Sequence, residues 1–185
     1  TVGIAGFGNI GRETARLFQR NDCEICVYDP FVAREAVERF GYAYCEKLED
    51  MLARVDFVSL HMPSLPSTKG MFGKAQFAAM KEGAYVINCA RGSVVDEEAL
   101  YEALRTGHLG GAALDVMEQE PFDMEGPLLK LPNVVVTPHV GGVTRQAANR
   151  THKMVVETTL RLLNGERIDN VANPEALAHA GWFPA

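Results

Sequence analysis

Short apolar runs alternate with amphipathic segments along most of the chain. The apolar runs occupy residues 2–5, 25–28, 42–45, 56–61, 83–88, 111–114 and 134–137. Segments with helical spacing of apolar residues occupy positions 10–20, 34–40, 47–53, 74–80, 96–106 and 144–163. Strands that are apolar on both faces and separated by helices are typical of a parallel sheet covered on both sides. The pattern therefore predicts an α/β fold, a doubly wound parallel sheet of about seven strands.

The first predicted strand leads into a glycine-rich turn with the pattern Gly-x-Gly-x-x-Gly. Its glycines are Gly6, Gly8 and Gly11, and a helical segment follows. Gly6 permits the tight turn, Gly8 lets the backbone approach a diphosphate, and Gly11 lets the helix lie close to the strand. A helix start also offers unpaired N–H groups and a partial positive charge to an anion. This stretch predicts a dinucleotide-binding site.

The acid at the end of the second strand indicates which dinucleotide binds. Asp29 lies where a carboxylate can accept hydrogen bonds from both hydroxyls of an adenosine ribose. The same carboxylate would repel a 2′-phosphate, and no arginine follows until Arg34. The sequence therefore predicts NAD as the cofactor rather than NADP.

Composition and cysteine usage restrict the partners and the compartment. The net charge of −6 and the lack of a basic run argue against nucleic acid, and no apolar segment is long enough to span a membrane. Cys23 and Cys26 form a C-x-x-C, which can indicate redox chemistry or half of a zinc site. Because Cys26 lies in an apolar strand and no second pair is present, we predict free thiols in a reducing cytoplasm, and no metal site.

Six stretches together resemble the D-isomer-specific 2-hydroxyacid dehydrogenase family. They are GFGNIG, VYDP, HMPSLPSTKGMF, VINCARGSVVDEEAL, GGAALDVMEQEP and VVVTPHVGG. The resemblance covers the chain from residue 1 to about residue 173 and is closest to the phosphoglycerate dehydrogenase-like branch. It implies a Rossmann-like NAD-binding domain that takes part in hydride transfer between a D-2-hydroxy acid and a 2-oxo acid, the small-molecule substrate.

The resemblance assigns three catalytic residues, Arg91, Glu120 and His139. Reduction of a 2-oxo acid needs a proton at the developing alkoxide, and an imidazole that titrates near ~6.5 is suited to donate it. Glu120 would orient the ring of His139 and favour its protonated form. Arg91 would hold the substrate carboxylate and polarise the carbonyl.

The resemblance also implies the contacts of the cofactor. Asn9 and Ile10 would offer N–H groups to the diphosphate, Asp115 would accept from the carboxamide, and His61 would shape a loop whose neighbour Met62 faces the dinucleotide. The complete predicted set is Gly6, Gly8, Asn9, Ile10, Gly11, Asp29, Pro30, His61, Met62, Pro63, Cys89, Ala90, Arg91, Asp115, His139, Gly141 and Gly142.

Family members build a second, substrate-binding domain from an N-terminal segment and a C-terminal tail. The chain has no initiator methionine and starts inside a predicted strand, so we expect it to begin within a longer protein and to lack most of that domain. Residues 1–167 would form the dinucleotide-binding domain. Residues 168–185 would be a tail whose Trp182 and Phe183 pack on the missing domain. The family also implies a homodimer formed through the cofactor domain.

One alternative function belongs to a different class. Carboxy-terminal-binding corepressors resemble this family and serve as NAD-sensing scaffolds for other proteins. They place a bulky aromatic residue near the catalytic histidine, whereas His139 is followed by Val140, Gly141 and Gly142. The peptide-binding cleft of such scaffolds also belongs to the missing domain, so we favour the enzyme.

Overall fold

A parallel β-sheet forms the centre of the described chain. The computed structural model describes residues 1–168, 171–173 and 175, and within them the sheet has seven strands in the order β3-β2-β1-β4-β5-β6-β7. The strands are β1 Val2–Ala5, β2 Ile25–Tyr28, β3 Ala43–Tyr44, β4 Phe57–Leu60, β5 Tyr85–Asn88, β6 Gly111–Leu114 and β7 Val134–Val136. The predicted doubly wound α/β fold is confirmed.

In the described part of the chain, five α-helices connect successive strands, as a parallel sheet requires, and a sixth follows β7. They are α1 Asn9–Gln19, α2 Arg34–Glu38, α3 Leu48–Leu52, α4 Lys74–Ala79, α5 Glu97–Arg105 and α6 Arg145–Leu163. Two short 3₁₀ helices, Gly92–Val94 and Pro127–Lys130, lie in segments for which the sequence predicted no element. The third strand is two residues long, shorter than the predicted run at 42–45.

Both faces of the sheet are packed with apolar side chains. Ile25 and Val27 of β2 belong to one buried cluster, while Cys26 between them belongs to the other. Because successive strand residues point to opposite faces, the two clusters lie on opposite sides of the sheet. Cys26 and Cys45 are buried free thiols and pack as small apolar groups.

The pairing register brings the carboxyl ends of six strands to one level. Their last residues pair in an unbroken series, from Tyr28 through Ala5, Leu60, Asn88 and Leu114 to Val136. The strand order reverses between β1 and β4, which is where ligands of doubly wound sheets bind. The residues that directly follow these strands, and so share one rim of the sheet, are Gly6, Asp29, His61, Cys89, Asp115 and Thr137.

The chain divides into a first unit, Thr1–Gly141, and a second unit that begins at Gly142. The second unit contains α6, whose start is capped by Thr144 accepting a hydrogen bond from Ala147 N at 3.0 Å. No residue of α6 is fully buried. The predicted boundary at residue 168 stays a prediction, and Trp182 and Phe183 lie outside the described residues.

None of the helices described by the structure has the length and apolar character needed to cross a membrane. Likewise, among residues 1–168, 171–173 and 175, no three His, Cys, Asp or Glu side chains are grouped in a way that could hold a metal ion.

Candidate active site

The glycine-rich turn after β1 forms the first part of the rim. Gly6 has a φ of +98°, and a Cβ at Gly11 would lie 2.1 Å from Gly6 O. Both positions therefore require glycine. A Cβ at Gly8 would meet no atom within 4 Å, so the backbone is open there. No described side chain caps the start of α1 at Asn9, and its first-turn N–H groups lack intrahelical partners. The turn thus fits a bound diphosphate.

Asp29 is fixed against this turn by two backbone donors. Its Oδ2 accepts a hydrogen bond from Phe7 N at 2.7 Å, and its Oδ1 accepts one from Phe31 N at 2.9 Å. Its carboxylate is partly exposed beside the open backbone. Arg34 is engaged elsewhere, with Nη2 2.8 Å from Glu46 Oε1. Asp29 therefore places a negative charge beside the turn, and this charge opposes a 2′-phosphate.

His61 is a structural histidine. Its backbone N–H donates to Ala5 O at 2.8 Å, and its ring Nε2 lies 2.9 Å from Ser59 Oγ. Burial lowers the pKa of His61 to about 4, so the ring is neutral at pH 7 and unsuited to donate a proton there. Its backbone packs against Gly6, where a Cβ would lie 2.9 Å from His61 C. This geometry agrees with the predicted role of shaping the loop, while contacts of Met62 and Pro63 with the cofactor stay predictions.

Two of the three predicted catalytic residues are in direct contact. His139 Nδ1 lies 2.8 Å from Glu120 Oε2. A carboxylate can only accept, so Nδ1 carries the proton of this bond, and the bond fixes the ring. The side chains are 49% and 36% exposed. An ion pair this exposed contributes only about 0–1 kcal/mol to stability, so its value to the fold is small.

The Glu120 carboxylate has a second anchor. Its Oε1 accepts a hydrogen bond from Met117 N at 3.3 Å. The bond from His139, followed by this backbone bond and the nearby charges of His139 and Arg91, holds the pKa of the Glu120 carboxyl below its usual value despite some desolvation. Glu120 is therefore ionised at neutral pH, as an orienting carboxylate must be.

Arg91 is close enough to the Glu120 carboxylate to lower its pKa, but the hydrogen bonds and ion pairs of the described residues do not join the two side chains. Its Nη1 donates to Ala90 O at 2.6 Å, and its side chain is exposed on the rim. The loop that carries it is shaped by the buried Asn88, whose Oδ1 accepts from Ala90 N and whose Nδ2 donates to Arg91 O, each at 3.0 Å. Asn88 was assigned no role from the sequence, although it ends the predicted strand at 83–88.

Gly92 brings the Arg91 loop against the Glu120 loop. A Cβ at Gly92 would lie 1.9 Å from Met117 C and 2.4 Å from Glu118 N. Glu118 N also donates to Glu97 Oε1 at 2.6 Å, which ties the same loop to the start of α5. Gly92 belongs to the family-like stretch VINCARGSVVDEEAL, but the sequence did not reveal this contact.

Asp115 is buried at the end of β6 and accepts hydrogen bonds from the segment after β7. Its donors are the Thr137 hydroxyl and the backbone N–H groups of Val140 and Gly141. Burial opposes the charge of Asp115, but these bonds outweigh it and hold the pKa of its carboxyl below the usual value. The predicted contact with the cofactor carboxamide stays a prediction, as do the predicted roles of Pro30, Cys89 and Ala90. Gly142 lies in the second unit.

Known proteins resemble this chain over most of its length. Residues 1–141 match the family model described as D-isomer specific 2-hydroxyacid dehydrogenase, NAD binding domain. D-3-phosphoglycerate dehydrogenase of Methanocaldococcus jannaschii is 40% identical over 173 residues, which are 94% of this chain and 33% of that protein. Glyoxylate reductase of Korarchaeum cryptofilum is 40% identical over 177 residues, 96% of this chain and 53% of that protein.

A solved structure shows the same likeness in three dimensions. The NAD-complexed D-isomer specific 2-hydroxyacid dehydrogenase of Lactobacillus delbrueckii ssp. bulgaricus superimposes with a TM-score of 0.85 at 34% identity, over 93% of this chain and 56% of that one. The chain thus spans only about a third to a half of the length of these relatives. The chain belongs to the D-isomer specific 2-hydroxyacid dehydrogenase family, and residues 1–141 are its NAD-binding domain.

Proposed function

We propose that this chain is the cofactor-binding part of an NAD-dependent dehydrogenase that interconverts a D-2-hydroxy acid and a 2-oxo acid. The observation that carries the proposal is the 2.8 Å contact between His139 Nδ1 and Glu120 Oε2 at the rim that also carries the glycine-rich turn. The contact leaves Nε2 of His139 free to face a substrate. Arg91, on the same rim, supplies a positive charge for the substrate carboxylate.

Each of these side chains has one task in the proposed reaction. A bound NAD would supply the hydride-transfer chemistry at the substrate carbon. His139 donates a proton from Nε2 to the developing alkoxide during reduction and accepts it back during oxidation. Glu120 holds the ring through Nδ1 and stabilises the imidazolium. Arg91 orients the substrate carboxylate and polarises the carbonyl.

The choice of substrate depends on more than the described rim. Glu120 and His139 are open to solvent, while the relatives are two to three times longer than the matched region. We therefore propose that a further domain of the whole protein closes over the rim and selects the 2-hydroxy acid. Orientation of a substrate can lower a barrier by about 7–11 kcal/mol, so this domain would matter for rate as well as for specificity.

The activity test compares this chain with a longer protein that carries it. NADH oxidation is measured with glyoxylate, pyruvate, hydroxypyruvate and 3-phosphohydroxypyruvate. The longer protein should reduce at least one of them, and this chain alone should do so poorly or not at all. If the longer protein binds NADH but reduces none of the four, the dehydrogenase proposal is wrong and an NAD-sensing scaffold becomes the better explanation.

Asp29 should make the chain prefer NAD(H) to NADP(H). The carboxylate lies beside the turn, and Arg34 is paired with Glu46 and Glu38. Calorimetry with both cofactors should show tighter binding of NAD(H). Asp29→Ala should weaken NAD(H) binding by about 1.5–3 kcal/mol, the value of a hydrogen bond to a charged group. It should also reduce the difference between the affinities for NAD(H) and NADP(H). Equal affinities in the unaltered chain would contradict this prediction.

We also propose a cytoplasmic homodimer. The four cysteines are free thiols, which suits a reducing compartment. Two-fold symmetric pairs are the commonest oligomers, and in this family we expect the cofactor domain to carry the contact. Sedimentation at tens of micromolar, roughly the range in which a weak interface dissociates, should give the mass of a dimer. A monomer at that concentration would count against it.

A further inference from the structure

His139 has a backbone conformation that residues other than glycine rarely adopt. Its φ is +53°, in the left-handed region. Asp22 is the one other described residue, glycine apart, with a positive φ. Such a conformation costs free energy and persists only where surrounding contacts impose it. The contacts around His139 must therefore stabilise this backbone conformation.

These contacts converge on one residue, Asp115. Its main-chain oxygen accepts a hydrogen bond from His139 N at 2.8 Å, an N–H that also lies 3.0 Å from Thr137 O. Its Oδ1 accepts from Thr137 Oγ1 at 2.5 Å and from Val140 N at 2.9 Å, and its Oδ2 accepts from Gly141 N at 2.8 Å. The donors lie on both sides of His139 in the chain. Asp115 itself is only 5% exposed and directly follows β6, which pairs with β5 on one side and β7 on the other.

We infer that Asp115 is a positioning residue for His139. Its carboxylate accepts hydrogen bonds from residues before and after the histidine. These bonds fix the left-handed conformation and so place the imidazole against Glu120. The inference rests on the proposed role of His139 as proton donor. It concerns the chain without a cofactor and is separate from the expected contact between Asp115 and the cofactor carboxamide.

The arrangement requires a carboxylate rather than an amide of the same shape. Both oxygens of Asp115 accept from N–H or O–H groups. In Asp115→Asn, one of those oxygens becomes an NH₂ group, which would face another donor. Thr137 offers a matched pair of variants, because Thr137→Val removes one donor and Thr137→Ser keeps it.

Two readouts on this 185-residue chain test the inference by NMR. The first is hydrogen exchange at the amides of Val140 and Gly141, which reports whether the segment is held. The second is the titration of the Glu120 carboxyl. Its pKa is lowered mainly by the bond from His139, so it reports whether the imidazole is in place. His139→Ala provides the reference for Glu120 without its hydrogen-bond donor.

In Asp115→Asn, amide exchange should accelerate by about 10–100-fold, which corresponds to the loss of one hydrogen bond to a charged acceptor. The pKa of Glu120 should rise to its value in His139→Ala. Thr137→Val should change both readouts in the same direction by a smaller amount, and Thr137→Ser should match the unaltered chain.

An unchanged Glu120 titration in folded Asp115→Asn would overturn the inference, even if exchange accelerated, because the aspartate would then support the segment without placing the ring. If Asp115→Asn does not fold, the Glu120 titration is measured in Thr137→Val instead, and an unchanged pKa there would overturn the inference. Neither readout involves turnover, so a failure of the dehydrogenase proposal would leave this result interpretable.

Discussion

Replacing His139 by alanine in an active protein that carries this chain should lower kcat for 2-oxo acid reduction by about 10²–10⁴, the usual contribution of a positioned general acid. The substitution removes the proton that Nε2 would deliver, and Glu120 cannot replace it because its carboxyl is ionised at neutral pH. The bound cofactor should be little affected, since the glycine-rich turn and Asp29 are unchanged. Stopped-flow measurement of NADH oxidation at saturating substrate gives kcat directly.

His108→Ala is the matched control for this measurement. The Nε2 of His108 lies 2.8 Å from Phe77 O, and the residue precedes β6 at the opposite edge of the sheet from the rim. Its loss should leave kcat close to that of the unaltered protein. A His139→Ala protein whose kcat also stays within a few-fold of the unaltered value would remove His139 from the mechanism.

Glu120→Gln should lower kcat less than His139→Ala does. The amide oxygen can still accept a hydrogen bond from Nδ1 of His139, so the ring should keep its orientation, while the negative charge beside the ring is lost. A kcat as low as that of His139→Ala would show that the charge of Glu120 is needed, and not its hydrogen bond alone.

The placement of the candidate site was predictable because of a property of parallel sheets. Apolar runs identify the strands, and the carboxyl ends of parallel strands lie at one edge. Residues after different strands, such as Arg91 and His139, therefore come to one rim although they lie 48 positions apart in the sequence. Residue type then suggests a chemistry, and the structure brings two of these residues together, with His139 Nδ1 2.8 Å from Glu120 Oε2.

Position along the chain could not distinguish the two histidines at strand ends. His61 and His139 both follow strands, but the ring of His61 is buried and its pKa is lowered to about 4, whereas His139 is half exposed beside a carboxylate. Burial depends on what packs over the strand end, and no local pattern encodes this. The contacts of Asp115 with the segment after β7 were missed for the same reason, since they join residues more than 20 positions apart.

Gly92→Ala should be strongly destabilising, because the lack of a Cβ at Gly92 lets the loops that carry Arg91 and Glu120 pack closely together. The added Cβ would lie 1.9 Å from Met117 C and 2.0 Å from Met117 O. Both atoms are backbone, so no side-chain rotation can relieve the overlap. The loops must separate, at a cost of about 3 kcal/mol or more. For a domain of this size, we expect Tm to fall by about 6–12 °C in thermal unfolding followed by circular dichroism.

Gly73→Ala is the control for this loss of stability, since its Cβ would meet the nearest atom, Gly70 O, at an ordinary 3.5 Å. Gly73 precedes α4, where alanine is a poorer cap than glycine, so a decrease of about 1 kcal/mol is expected there. In the folded fraction of Gly92→Ala, separation of the loops should also weaken the contact of Glu120 with His139 and raise the pKa of the Glu120 carboxyl. Equal Tm values for the two variants would mean that the segment at Met117 yields easily, and that Gly92 does not fix the distance between Arg91 and Glu120.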